Sequence, residues 1–394
     1  NFGHTPLGFA GMEPAPRRRR GGVKLLALLL SVVFAVVLAE VCARVWVVYL
    51  ADEATFLRYA SFDQLTARFG GPQFQAHRHL GYLPTPGFHR GGNAHDRRGF
   101  RGEGFPLVKP PGERRVVCLG GSTTYGWGVR GDHRMSFPAL LGQKLAAARP
   151  PIRVINAGTP GWTSLEVLID FETRILDLAP DVVLVYLGIN DVMPRVVWPP
   201  EEYHSDLSGW LRRDQHVRCP PLLERLTLSR IWLVKSGRLE SHSSWTWVVG
   251  DQPPSSRYFT FLHQRGTGAY PSGVFVDTPI EKILQTNRPV FFERNLRNLV
   301  GIAKDRGVRV VLTTFAVSSK FPDRPFVGHP AIRAAVAEHN AILRRIAADT
   351  GTPLFDLAAK LPDDASLFTD GCHFTEKGNR LRVDLLLAEK NLLR

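Results

Sequence analysis

The sequence predicts an α/β protein: an open sheet of five parallel strands covered by helices on both faces, preceded by one apolar helix. Three observations lead there. Short runs rich in Val, Leu and Ile recur at residues 115–119, 152–156, 181–187, 308–314 and about 354–357. Segments with helical start and stop signals separate them, and strands joined by helices favour parallel pairing with right-handed crossovers. Near the amino end, residues 25–39 carry no charge at all.

Composition supports a folded chain. Of 394 residues, 44% are hydrophobic and 22% charged, which excludes a disordered chain, a collagen and a polytopic membrane protein. The net charge of +14 raises the question of polyanions, but the basic residues are mostly scattered arginines. Their one dense run, residues 17–20, adjoins the apolar stretch, so no nucleic-acid partner is expected. Four dispersed cysteines without a CxxC pair propose neither a disulfide scaffold nor a zinc site; no metal and no cofactor are expected.

Residues 1–22 read as a leader on the cytoplasmic side, with Met12 a candidate start. The fifteen uncharged residues that follow Lys24 would span about 22 Å as a helix against a hydrocarbon core of about 30 Å. Apolar character resumes after Glu40 and Arg44, which stand four apart and can pair, and Trp46 and Tyr49 suit an interfacial belt. Residues 23–50 therefore read as a membrane anchor, with a cleaved signal ending near Cys42 as the alternative. Arginines and Lys24 before the segment, against Arg58 soon after it, place the amino end in the cytoplasm and export the rest. The expected topology is a single crossing of the membrane with the remaining chain outside the cytoplasm.

Residues 51–112, rich in Gly, Pro, Arg and aromatics, read as a linker or packing arm. The remainder, 113–394, is one domain. Its first strand ends in Gly120-Gly121, and Ser136 is a candidate cap for a helix that Pro150-Pro151 stops. The second strand ends in Ala157-Gly158, and Thr163-Ser164-Leu165-Glu166 forms a capping-box pattern opening a helix to about Leu178. Residues 181–187 are almost wholly apolar, as a strand covered on both faces should be. Regularity then breaks at about 192–288, where Trp198, Trp210, Trp232, Trp245 and Trp247 stand without a sustained period, which suggests an inserted cap. Order returns with a helix from Pro289 to Gly307, a strand, a helix over 330–349, a short strand and a last helix over about 375–390.

In such sheets ligands bind beyond the carboxyl ends of the strands. Those ends carry Gly120-Gly121-Ser122, Gly158-Thr159-Pro160-Gly161, Gly188-Ile189-Asn190-Asp191 and, further on, Asp370-Gly371-Cys372-His373. A serine hydroxyl becomes a nucleophile when a base takes its proton and a third group fixes the base. Ser122, His373 and Asp370 supply that set, and one tight turn brings the carboxylate to the ring's Nδ1. The oxyanion formed on attack needs preorganised donors. The backbone amides of Ser122 and Gly161 and the side-chain amide of Asn190 are the candidates. The loop at Ser122 fits neither a G-x-S-x-G elbow nor a P-loop, and Cys118 and Cys372 are not read as nucleophiles.

The four blocks resemble those of the SGNH hydrolase superfamily, the GDSL-type esterases and lipases. The likeness covers about residues 113–390 outside the insertion. It implies a flavodoxin-like three-layer α/β/α sandwich, Ser122 as nucleophile and hole donor, Gly161 and Asn190 completing the hole, His373 as base and Asp370 as its orienter. One departure is Gly121, where the GDSL pattern has Asp. The expected activity is hydrolysis of a carbohydrate or lipid ester, a deacetylation for instance, through an acyl-enzyme outside the cytoplasm. Two alternatives stay open: an O-acyltransferase on envelope glycans with the same triad, and a catalytically silent domain that binds a glycan or a partner.

Overall fold

In a computed structural model the described residues are 19–70, 73–77, 79–198, 200–205, 222–239, 278–324, 326–389 and 391–393. Residues 1–18, Cys219, Trp210, Trp245 and Trp247, and most of the expected cap, lie outside them. The chain divides into two compact units, one of Asn1–Ser61 with Pro220–Ser241, the other of Phe62–Cys219 with His242–Arg394.

The smaller unit begins with a helix, Arg19–Val45, that continues through one π-helical turn, Trp46–Leu50. Within it Gly22–Leu50, 29 residues, is long and apolar enough to cross a membrane, a test that a signal sequence also meets. Glu40 and Arg44 do pair, Arg44 Nε lying 2.9 Å from the carboxylate. A helix at Glu53–Tyr59 follows, its amino end capped by Asp52, which accepts from Thr55 N at 2.7 Å. Two further helices belong to this unit, Leu222–Arg225 and Thr227–Lys235.

The larger unit opens with a helix, Phe62–Phe69, and two hairpins: β1 (Phe74–His77) with β2 (Gly81–Pro84), and β3 (His89–Arg90) with β4 (Asn93–Ala94). Then come the five strands of the main sheet, β5 (Arg114–Gly120), β6 (Ile152–Gly158), β7 (Val182–Tyr186), β8 (Arg309–Thr313) and β9 (Leu354–Phe355). They run parallel in the order β6-β5-β7-β8-β9. Side chains alternate between faces along a strand. Val117, Leu119, Val183 and Val185 therefore build one core with Leu296 and Leu299, while Val116, Cys118, Val182 and Leu184 build another with Leu140, Leu141 and Val383. This is the predicted sheet with helices on both faces.

Local signals read from the sequence meet different outcomes. The capping box forms, with Thr163 accepting from Leu165 N and Glu166 accepting from Thr163 N. Ser136 does precede a helix, Phe137–Leu145, but its hydroxyl donates to His133 O at 2.7 Å and caps nothing. Ahead of it the structure has a separate four-residue helix, Ser122–Tyr125, that the sequence reading does not distinguish. Pro289 stands one place before its helix, Val290–Asp305, not inside it.

The hairpins pack on that four-residue helix through Tyr125, which is fully buried. Its hydroxyl meets Gln73 Nε2 at 2.8 Å, His95 Nε2 at 2.8 Å and Asn93 Nδ2 at 3.3 Å. Burial pushes the His95 imidazole down to about 3, so the ring is neutral. Its Nδ1 faces the carbonyl of Thr85 at 3.1 Å and must donate, so Nε2 accepts the proton of Tyr125. The phenol oxygen is left to accept from Gln73 and Asn93. Tyr125→Phe removes one donor and one acceptor from three buried partners. It should lower stability by about 1–3 kcal/mol, read as a lower denaturant midpoint at unchanged slope.

Candidate functional site

β5 ends at Gly120, and Ser122 begins the helix that follows. Its Oγ lies 2.7 Å from Nε2 of His373, 251 residues further on. Nδ1 of His373 lies 2.6 Å from Oδ2 of Asp370. The other oxygen of Asp370 accepts from His373 N at 3.0 Å and from Cys372 N at 3.2 Å, which closes the predicted turn. Thr369 N donates to His373 O at 2.8 Å, and Thr375 caps the following helix, Glu376–Ala388, so the turn is tied down at both ends. Burial alone would raise the Asp370 carboxyl, but the hydrogen bonds it accepts from His373 and Cys372 hold it well below the usual carboxylate range. An ionised Asp370 fixes the proton on Nδ1, and Nε2 is left to accept from Ser122.

Asp370, Cys372 and His373 are also a group, among the described residues, whose ligand atoms lie within 4.8 Å of one another. Both Asp370 oxygens and Nδ1 are engaged in the turn's own hydrogen bonds. Burial, with the Asp370 charge behind it, pushes the Cys372 thiol well above its ordinary 9.0 and keeps it neutral. Cys118 is likewise pushed up to about 12 by burial.

The second and third blocks arrive at the same rim. Thr159 N donates to Gly120 O at 3.0 Å, and Asn190 Nδ2 donates to Trp162 O at 2.8 Å. A Cβ on Gly121 would fall 2.5 Å from Asn190 Nδ2, so the amide of Asn190 occupies the space beside the residue before Ser122. Gly161 takes φ +81°, a left-handed conformation that favours glycine. Among the described residues, the backbone amides of Ser122 and Gly161 donate no hydrogen bond. The structure thus brings Ser122, His373 and Asp370 into one hydrogen-bonded line, with Asn190 against Gly121 and Gly161 in the adjoining loop. Chemically, this arrangement can activate a hydroxyl and offer amide protons to an oxygen that gains charge.

Residues that the sequence reading passes over hold these loops. Asp191 is buried and accepts from Ser164 N at 2.9 Å and from Ser164 Oγ at 2.5 Å, and Asn295 Nδ2 reaches the same hydroxyl at 3.0 Å. His339, buried and pushed down to about 3 by that burial, uses Nδ1 to bond Gly188 O at 2.8 Å. Asn190 is therefore pinned on both sides. The side chain of Tyr82 donates to Pro160 O at 2.5 Å, and Arg101 donates to the carbonyls of Tyr125 and Gly126. The sequence signal for Asp191 is its place directly after Asn190; Tyr82 and Arg101 have none beyond the aromatic and basic character of their segment.

A family model for the GDSL-like lipase/acylhydrolase family matches residues 118–381. No curated protein matches the chain. Among solved structures, LAE5, described as an alpha/beta hydrolase enzyme from the metagenome of Lake Arreo, Spain, is 19% identical. That match covers 71% of this chain and 96% of LAE5 at a TM-score of 0.40. The lipase/acylhydrolase from Enterococcus faecalis is 17% identical over 70% of this chain and 94% of its own, with a TM-score of 0.39. A single-site variant of Axe2, an acetyl xylan esterase from Geobacillus stearothermophilus, is 16% identical over 73% of this chain and 98% of its own, with a TM-score of 0.42.

The geometry of the third block can be tested at Gly121 and Asp191. Gly121→Ala should displace the Asn190 amide and lower kcat on an activated ester by about 10²-fold. Combined with Asn190→Gly, it should cost nothing beyond the Asn190→Gly variant alone, because both remove the same donor. Burial pushes Asp191 up to about 7, above its ordinary 3.8, so the folded chain prefers the protonated form. Stability from this group is full below 3.8 and is lost as pH rises through about 7. The melting temperature of the wild type should therefore fall relative to Asp191→Asn between about pH 4 and pH 7. A constant offset between the two across that range would contradict this.

Proposed function

The chain belongs to the GDSL-like lipase/acylhydrolase family and is an SGNH-type esterase; from that premise we propose that it forms its acyl-enzyme on Ser122 and works outside the cytoplasm. One observation carries the assignment of residues: Asp370, His373 and Ser122 stand in a continuous line of hydrogen bonds of 2.6 and 2.7 Å. Ser122 Oγ attacks the acyl carbon while Nε2 of His373 takes its proton. The imidazolium that results keeps its Nδ1 proton on the ionised Asp370. The carbonyl oxygen, now negative, accepts from the amides of Ser122 and Gly161 and from Asn190 Nδ2, each donor worth about 2.7–4 kcal/mol in the transition state. His373 then returns the proton to the departing alkoxide, and a second hydroxyl repeats the sequence in reverse to free the acyl group.

The second hydroxyl decides the outcome. With water the protein is a hydrolase; with a sugar it is an O-acyltransferase. We favour hydrolysis, with acetylated envelope glycans or lipid esters as substrates. The address supports these substrates: Gly22–Leu50 meets the requirements of a membrane span, and the arginines before it, with Lys24 in its first turn, favour a cytoplasmic amino end. The larger unit would then stand in the periplasm of a bacterial inner-membrane protein.

A fluorophosphonate probe should label the wild type and not Ser122→Ala, and Asp370→Asn should lower kcat on an activated acetyl ester by about 10³–10⁴-fold. Acetate should appear at the same rate with and without an oligosaccharide acceptor. Acetyl-sugar in place of acetate would make the protein a transferase, and a folded wild type that resists the probe would make it a binding domain.

A further inference from the structure

The helices Leu222–Arg225 and Thr227–Lys235 are held in the smaller unit by the apolar helix itself. Glu40 accepts from the backbone amides of Thr227 at 2.8 Å and Leu228 at 2.9 Å, while Arg44 Nη2 donates to Arg225 O at 3.2 Å. A carboxylate inside a membrane span is costly unless its lone pairs are engaged. Here the amide protons of Thr227 and Leu228 at a helix start, together with Arg44, engage them. Glu40 also lies about 27 Å along the helix from Gly22, at 1.5 Å per residue, close to the far edge of a hydrocarbon core about 30 Å thick. The helix Thr227–Lys235 therefore starts near the level where the span leaves the hydrocarbon, and the exposed rings of Trp46 and Tyr49 lie beyond it on the water side.

What this pair of helices turns outward is apolar. Leu222 is 73% exposed, Leu223 62% and Trp232 55%, and Leu228 stands one helical turn before Trp232 on the same face. The charges it exposes, Arg225, Lys235 and Arg238, are all basic, and its acidic residue, Glu224, is turned inward. Leucines and a tryptophan flanked by lysine and arginine are the pattern of a helix lying in the plane of a bilayer, with anionic headgroups as the complement of its charge.

We propose that residues 222–239 form a second membrane element, seated in the interface beside the span, with the phospholipid bilayer as its partner. The inference rests on the membrane-anchor reading of Gly22–Leu50. It makes the insertion a tether, fixing it at the membrane at a second point along the chain.

The test uses the full chain with Cys42 and Cys219 replaced by Ser; the two other cysteines, Cys118 and Cys372, are buried. An environment-sensitive NBD label is placed at Leu228→Cys, at Leu223→Cys as an independent repeat, and at Leu30→Cys within the span. Each protein is reconstituted in vesicles of phosphatidylcholine and phosphatidylglycerol without quencher and with a doxyl lipid, shallow for the labels at 228 and 223 and deep for the label at 30, and retained esterase activity certifies folding. Labels at 228 and 223 should lose about half their emission to the doxyl lipid. Quenching at 30 without quenching at 228 and 223 overturns the second element and leaves the anchor standing. No quenching at 30 overturns both. A blue-shifted but unquenched label at 228 and 223 would mean that another copy of the chain covers the leucines, and would also overturn the proposal.

Discussion

The site depends on the register of β5 between its two neighbours. Gly120 stands opposite Gly158 in β6 and opposite Tyr186 in β7, so three separate stretches of chain leave the sheet at one level. The residues that follow, Gly121 and Ser122, Thr159 to Trp162, and Gly188 to Asp191, have nowhere to go but the same rim. A slip of one residue in either pairing would turn every side chain of a strand to the opposite face. The two cores forbid it, because Val117 and Leu119 belong to one and Val116 and Cys118 to the other. Hydrophobic burial thus fixes the positions of the polar groups at the rim.

A second constraint comes from residues that precede the family match. Tyr125 is anchored by Gln73, Asn93 and His95, and the carbonyls at the end of its short helix are taken up by Arg101. Tyr82 holds the carbonyl of Pro160 in the neighbouring loop. A four-residue helix has too few internal hydrogen bonds to hold itself. Its stability has to be supplied from outside, and here the supply comes from two hairpins that the sheet does not require. The segment 62–105 is therefore structural support for Ser122 and for the Gly161 loop at once.

How much of this could be read in the sequence follows from how each feature is encoded. Strands covered on both faces must be continuously apolar, so β5 and β7 were visible, and loops that leave them are rich in glycine, which exposed Ser122, Asn190 and the turn at His373. The hub at Tyr125 was not visible, since Gln73, Asn93 and His95 share no period and act only once folded. Ser136 sat in a position suited to a cap, but a nearer acceptor, His133 O, took its proton. The helix Thr227–Lys235 escaped because its amino-end partner, Glu40, is 187 residues away and its Leu228 and Trp232 face outward. Local rules find what neighbouring residues stabilise; partners remote in sequence leave no such trace.

At Gly121 these constraints meet. The GDSL pattern has Asp there, yet in this chain a side chain would strike the amide of Asn190, whose Nδ2 would lie 2.5 Å from the added Cβ. Asn190 cannot easily withdraw. Its own Nδ2 is bonded to Trp162 O, the carbonyl of Gly188 is bonded to the buried His339, and Asp191 is held by Ser164. Its neighbours in the chain are thus fixed from two different helices, Ser164–Asp170 and Pro330–Thr350, and the amide itself from a third segment. The space beside Ser122 is consequently held by the Asn190 amide, and in this chain a side chain at 121 would have to push that amide aside. The departure from the family's pattern leaves Ser122, His373 and Asp370 in place and removes a side chain that would press on the Asn190 amide.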